Sequence, residues 1–175
     1  MRMLLVQFPL LFLAINSIVV QPKTQQVSYP CSVVLLPAKH VLNTQGTALI
    51  TKVKKPYTAD PTGPLRERQS VGIYADWMTD PSAYGDYDHY VGLAQIPGVI
   101  SWRFRLSPVK EDSSSFFGGH PWVGKFDEIS MEIPVYARVE VRPSNSKTNE
   151  LGPVILQNSL ESCKHRSHSE GNVLR

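Results

Sequence analysis

Short runs of β-branched and aromatic residues, cut by proline and glycine, dominate the sequence beyond its first twenty residues. Residues 27–36, 47–53, 71–77, 89–94, 99–106 and 128–141 each read as an extended segment, and 154–156 as a short last one. No stretch repeats apolar residues at i, i+3 and i+4 in the helical manner. In 99–106, Ile100, Trp102, Phe104 and Leu106 alternate with Ser101, Arg103 and Arg105, which puts the apolar set on one face. The 14 prolines and 11 glycines argue against a helical bundle, because proline breaks helix interiors. The expectation is a mainly β, antiparallel β-sandwich or open barrel in a single domain over residues 26–157. Pro134 lacks an N–H, so the 128–141 segment is expected at a sheet edge or broken there. Residues 57–69 and 107–119 read as loops, and 158–175 as a flexible polar tail.

Met1 and Arg2 precede an apolar stretch over residues 3–20, interrupted by Gln7, Pro9 and Asn16. That pattern is a secretory signal peptide over 1–21, with an uncleaved signal anchor as the alternative. Export makes a disulfide between Cys31 and Cys163 feasible; two unpaired thiols are the other reading. A formal net charge of +3 is too weak to imply nucleic acid.

The densest polar cluster is residues 76–90 (DWMTDPSAYGDYDHY). Asp80, Asp86 and Asp88, with Asp76 and His89, offer oxygens for Ca²⁺, although the spacing is not that of an EF-hand. A solvated aromatic loop with Asp80-Pro81 and Tyr84-Gly85 turns is the competing reading. His120 follows a glycine pair, with no serine or cysteine in a nucleophile elbow to accompany it. An enzyme using Asp86, Asp88, His89 or His120 therefore ranks last, and no catalytic residue and no cofactor are expected.

Gly72-Ile73-Tyr74-Ala75-Asp76 resembles the G-[LI]-[YF]-x-D signature of the PIG-X family, the accessory subunit of the endoplasmic-reticulum GPI mannosyltransferase I. Residues 48–54 resemble that family's early strand. Glu132-Ile133-Pro134-Val135-Tyr136-Ala137-Arg138 resembles its [LI]-P-[LV]-x-x-R strand, and Pro153, an apolar stretch and Cys163 follow in the family's order. The resemblance implies a non-catalytic lumenal accessory subunit in GPI-anchor biosynthesis, bound to a catalytic mannosyltransferase in the endoplasmic reticulum. Partner contacts are then expected at Gly72, Ile73, Tyr74, Asp76, Glu132, Pro134, Tyr136 and Arg138. The family ends in a transmembrane helix, whereas no apolar run follows Leu156 here. Membrane association is thus expected through the partner or a missing C-terminal anchor. The alternative is a secreted β-sandwich that binds a ligand, in a Ca²⁺-dependent manner, through Asp80, Asp86 and Asp88.

Overall fold

In the computed structural model the described residues are 25–39, 41, 43–109 and 121–164. The expected signal peptide (1–21), His120 and the last eleven residues of the polar tail lie outside them. Among the described residues eight strands form: β1 (Cys31–Pro37), β2 (Gln45–Pro56), β3 (Leu65–Asp76), β4 (His89–Ile96), β5 (Ile100–Pro108), β6 (Trp122–Ile129), β7 (Arg138–Ser144) and β8 (Leu156–Ser159). They pair antiparallel in the order β1-β2-β3-β6-β5-β4-β7-β8, and β8 returns to β1. The sheet is therefore a closed barrel, where the sequence suggested a sandwich or an open barrel. Closure rests on Leu36↔Gln157 and Pro37↔Leu156, a pairing of segments about 120 residues apart. The β3–β4 connection passes over β6 and β5, and β4-β5-β6 then walk back toward β3.

Alternation along each strand fills the interior. Val33 and Leu35, Ala48 and Ile50, Val71 and Ile73, Tyr90 and Ala94, Phe104 and Leu106, and Val139 and Val141 all belong to one buried cluster. Tyr90 is fully buried; its hydroxyl donates to the Thr79 carbonyl at 2.9 Å and its ring meets Trp122 edge-on at 5.1 Å. Gly92 leaves room for this core. A Cβ there would lie 2.6 Å from Phe104 Cζ and 2.7 Å from Ile73 Cδ1.

Three elements depart from the sequence expectation. β3 starts at Leu65, inside the expected 57–69 loop, because charged side chains carry the ladder beyond the apolar core. Lys52–Glu67 (2.8 Å), Lys55–Asp127 (2.7 Å) and Arg66–Glu128 (3.3 Å) line this extension. β6 (Trp122–Ile129) was expected only at its last two residues, as its apolar Trp122, Val123, Phe126 and Ile129 do not alternate. The expected 128–141 strand divides: Glu128 and Ile129 end β6, and β7 begins at Arg138. Pro134 makes only an isolated bridge to Gln26. β7 is no edge strand, since it pairs with both β4 and β8.

The barrel is thinly laddered at two joins, β5–β6 and the β1–β8 seam, with two register positions each. β1 pairs with β2 over Cys31 to Leu35 but with β8 at two positions only. At the far end of the seam, Cys31 is bonded to Cys163 with a Cα–Cα distance of 5.8 Å. Around it, the Ser28 N–H donates to the Cys163 carbonyl at 2.8 Å. Between the two ends Asn158 Nδ2 donates to the Val34 carbonyl at 2.7 Å. Residues 158–164, expected as tail, thus complete β8 and a short 3₁₀ turn (Glu161–Cys163) with Leu160 and Cys163 buried.

Candidate functional site

Residues 130–137 leave the ladder between β6 and β7, yet their backbone is held at several points. The Ile133 N–H donates to Gln69 Oε1 at 2.9 Å, and Tyr29 donates its hydroxyl to the same oxygen. The Val27 N–H donates to the Ile133 carbonyl, the Val135 N–H to the Gln25 carbonyl, and the Leu160 N–H to the Ala137 carbonyl, at 3.2, 3.0 and 2.9 Å. Burial, with Glu132 adding to it, pushes the Tyr29 hydroxyl up to about 12, so it stays a donor. Ile133, Val135 and Ala137 point inward, which turns Glu132, Tyr136 and Arg138 outward.

Two concavities flank the segment. One, of about 240 Å³, is lined by Ile96, Val99, Met131, Glu132, Pro134 and Tyr136, with Gln26 at its rim. Val99 is 65% exposed and Tyr136 47%, a high value for large apolar side chains. The other, of about 430 Å³, is lined by Leu36, Pro37, Arg138, Gln157, Asn158 and Ser159 along the β1–β8 seam. Arg138 stands between Gln95 of β4 and Ser159 of β8 in the ladder. Among the described residues it forms no ion pair, whereas Glu132 reaches Lys52 at 3.7 Å.

The structure therefore gathers four of the residues singled out in the sequence, Glu132, Pro134, Tyr136 and Arg138. It does not bring Gly72, Ile73, Tyr74 and Asp76 to them. Ile73 is in the core; Tyr74 is exposed and donates to Asp76 Oδ2 at 3.3 Å; Asp76 Oδ1 also accepts from the Trp77 N–H at 2.8 Å. Ile96, Val99 and Met131 were not singled out. The Ile96-Pro97-Gly98 turn was legible, but nothing local told that Val99 stays exposed beyond it while Ile96 is buried before it.

The acidic cluster has a structural occupation instead. Asp80 accepts from the Ser82 N–H at 2.9 Å and Oγ at 2.6 Å, capping a 3₁₀ turn (Pro81–Tyr84), and these bonds lower its pKa. Asp86 accepts from Asn145 Nδ2 at 3.1 Å. Asp88 accepts from the Ser146 hydroxyl and N–H and faces His89 Nδ1 at 2.6 Å, which holds its carboxyl far below the usual range. Among the described residues no group of three or more His, Cys, Asp or Glu side chains is placed to hold a metal. The Ca²⁺ reading of Asp80, Asp86 and Asp88 thus finds no shared site among the described residues: Asp80 caps its own turn, while Asp86 and Asp88 accept from Asn145 and Ser146. Nor does the Ser146–Asp88–His89 chain suit nucleophilic catalysis. Asp88 stands between the hydroxyl and the imidazole, whereas a serine nucleophile needs the imidazole beside it.

Residues 27–164 match the family described as "SPbeta prophage-derived uncharacterized protein YoqH". A protein of the same description from Bacillus subtilis (strain 168) is 41% identical over 159 residues, covering 90% of this chain and 98% of the relative. No solved structure matches. These findings overturn the PIG-X resemblance. They also overturn the endoplasmic-reticulum location and the role in GPI-anchor biosynthesis with its mannosyltransferase partner, all of which belong to eukaryotic cells. The secreted Ca²⁺-dependent binder gains no support either. The quoted motifs are short runs of strand-forming residues, which recur in unrelated sheets.

Proposed function

The chain belongs to the YoqH family, and we propose that it is a non-catalytic docking module for another polypeptide. In this reading the pocket beside Tyr136 seats one apolar side chain of the partner, and Arg138 takes a carboxylate of the same segment. The observation that carries it is the juxtaposition, two residues apart on a tied-down backbone, of an exposed tyrosine at an apolar pocket and an arginine with no ion pair among the described residues. Tyrosine and arginine are the side chains that most often dominate protein interfaces. A volume of about 240 Å³ lies below the roughly 300–1,000 Å³ typical of small-molecule sites and suits a single side chain. The backbone anchors at Gln69, Val27 and Gln25 limit the ordering cost of binding. The barrel interior, filled by side chains, leaves the outer surface as the place for recognition.

Photo-cross-linking tests the proposal. A benzophenone amino acid at Val99 is expected to give one discrete adduct in host cells, absent with the same probe at Lys54. Arg138→Glu should abolish that adduct and Arg138→Lys should retain it. No adduct at Val99, or one indifferent to Arg138→Glu, contradicts the reading.

A further inference from the structure

At the other end of β3 from Gln69, a separate concavity of about 390 Å³ is lined by Asn43, Gln45 and Trp77. Three non-glycine residues among those described have positive φ, and two of them border this space: Asn43 (62°) and Trp77 (55°). Asparagine tolerates that conformation, but a tryptophan there is strained. Such strain persists only where the surroundings over-determine it, and it concentrates at ligand sites. Here both backbone polar groups of Trp77 are taken by side chains. Its N–H donates to Asp76 Oδ1 at 2.8 Å, and its carbonyl accepts from Thr44 Oγ1 at 3.2 Å, with Thr44 buried. Asp76 is braced in turn by the Tyr74 hydroxyl. The indole is nevertheless 44% exposed. The fold thus holds a large aromatic ring out toward solvent, in a conformation that glycine would adopt without strain.

We propose that this concavity binds a neutral saccharide, with one sugar face stacked on Trp77 and its hydroxyls bonded by the Asn43 and Gln45 amides. An aromatic plate supplies apolar contact to the C–H face of a sugar ring, while amides both donate and accept, as vicinal hydroxyls require. Among the described residues no cation lines the space, and the Asp76 carboxylate accepts from the Trp77 N–H at its border, which disfavours nucleotides and other phosphorylated ligands. The two amides disfavour a purely apolar guest. This inference stands on different residues from the docking proposal and does not depend on it.

The test follows the three indole N–H signals of the ¹⁵N-labelled full chain during titration with chitotetraose, maltotetraose and cellotetraose in turn. The expected result is a saturable shift of the Trp77 signal with at least one of them, while Trp102 and Trp122 stay unmoved. Trp77→Ala and Asn43→Ala should each weaken binding by about tenfold or more, and Trp77→Phe by less than that. Arg138→Glu should leave the affinity unchanged, which keeps this outcome separate from that of the docking test. The proposal is overturned if none of the three sugars shifts Trp77, if Trp77→Ala binds as well as the parent, or if AMP shifts the signal at lower concentration.

Discussion

Removing the disulfide should reveal how the barrel stays shut. Cys31 and Cys163 close a loop of 132 residues. In the chain-entropy description a loop of that length limits the unfolded ensemble by about 5 kcal/mol at 25 °C. The folded state depends on the same bond, because β1 and β8 share only two ladder positions. With Cys31→Ala and Cys163→Ala together, urea unfolding should show a loss of about 3–5 kcal/mol, reduced somewhat if the unfolded chain is compact. Hydrogen exchange should then speed up first in β1 and β8, ahead of β2 and β3, whose twelve-position ladder remains intact. A loss under about 1 kcal/mol, or protection that falls evenly across all strands, would refute the assignment of the bond as the closure of the seam.

Three further outcomes are expected. Gly124→Ala should destabilise by about 3 kcal/mol in urea unfolding, since a Cβ there meets the Arg105 carbonyl at 2.6 Å, where β5 and β6 share two ladder positions. In urea unfolding, Trp77→Gly should cost about 1 kcal/mol less than Trp77→Ala, because glycine relieves the left-handed backbone that alanine would keep. On the alkaline side, Tyr29 is raised from 10.0 to about 12 in the folded protein, so the unfolded chain loses that proton first. Its contribution should be constant below pH 10 and lost between there and about 12, visible as a falling Tm together with tyrosinate absorbance.

Much of the strand content was written in local alternation: 99–106 announced β5 almost to the residue, and 89–94 the start of β4. The polar half of β3 was not legible, because Arg66, Glu67 and Arg68 are held by cross-strand charges rather than by burial. Closure was out of reach for the same kind of reason. Nothing near Leu36 indicates that Gln157 will lie opposite it. The candidate site was half visible: Pro134 stood out as a break in a strand, Tyr136 and Arg138 were singled out only through the overturned resemblance, and Val99 and Met131 joined them only through the barrel's curvature. Gly72 to Asp76 misled, since that run reflects the needs of a strand whose inward residues are Ile73 and Ala75.

The claim that recognition takes place at residues 131–138 is tested most directly by binding isotherms for the purified cross-linked partner at low and high salt. The parent, Tyr136→Ala and Arg138→Glu proteins are compared. Tyr136→Ala should weaken binding by about tenfold at both salt concentrations, as expected for lost apolar contact. Arg138→Glu should weaken it strongly at low salt and less at high salt, as expected for an exposed charge pair. Equal affinity of all three proteins would contradict the account.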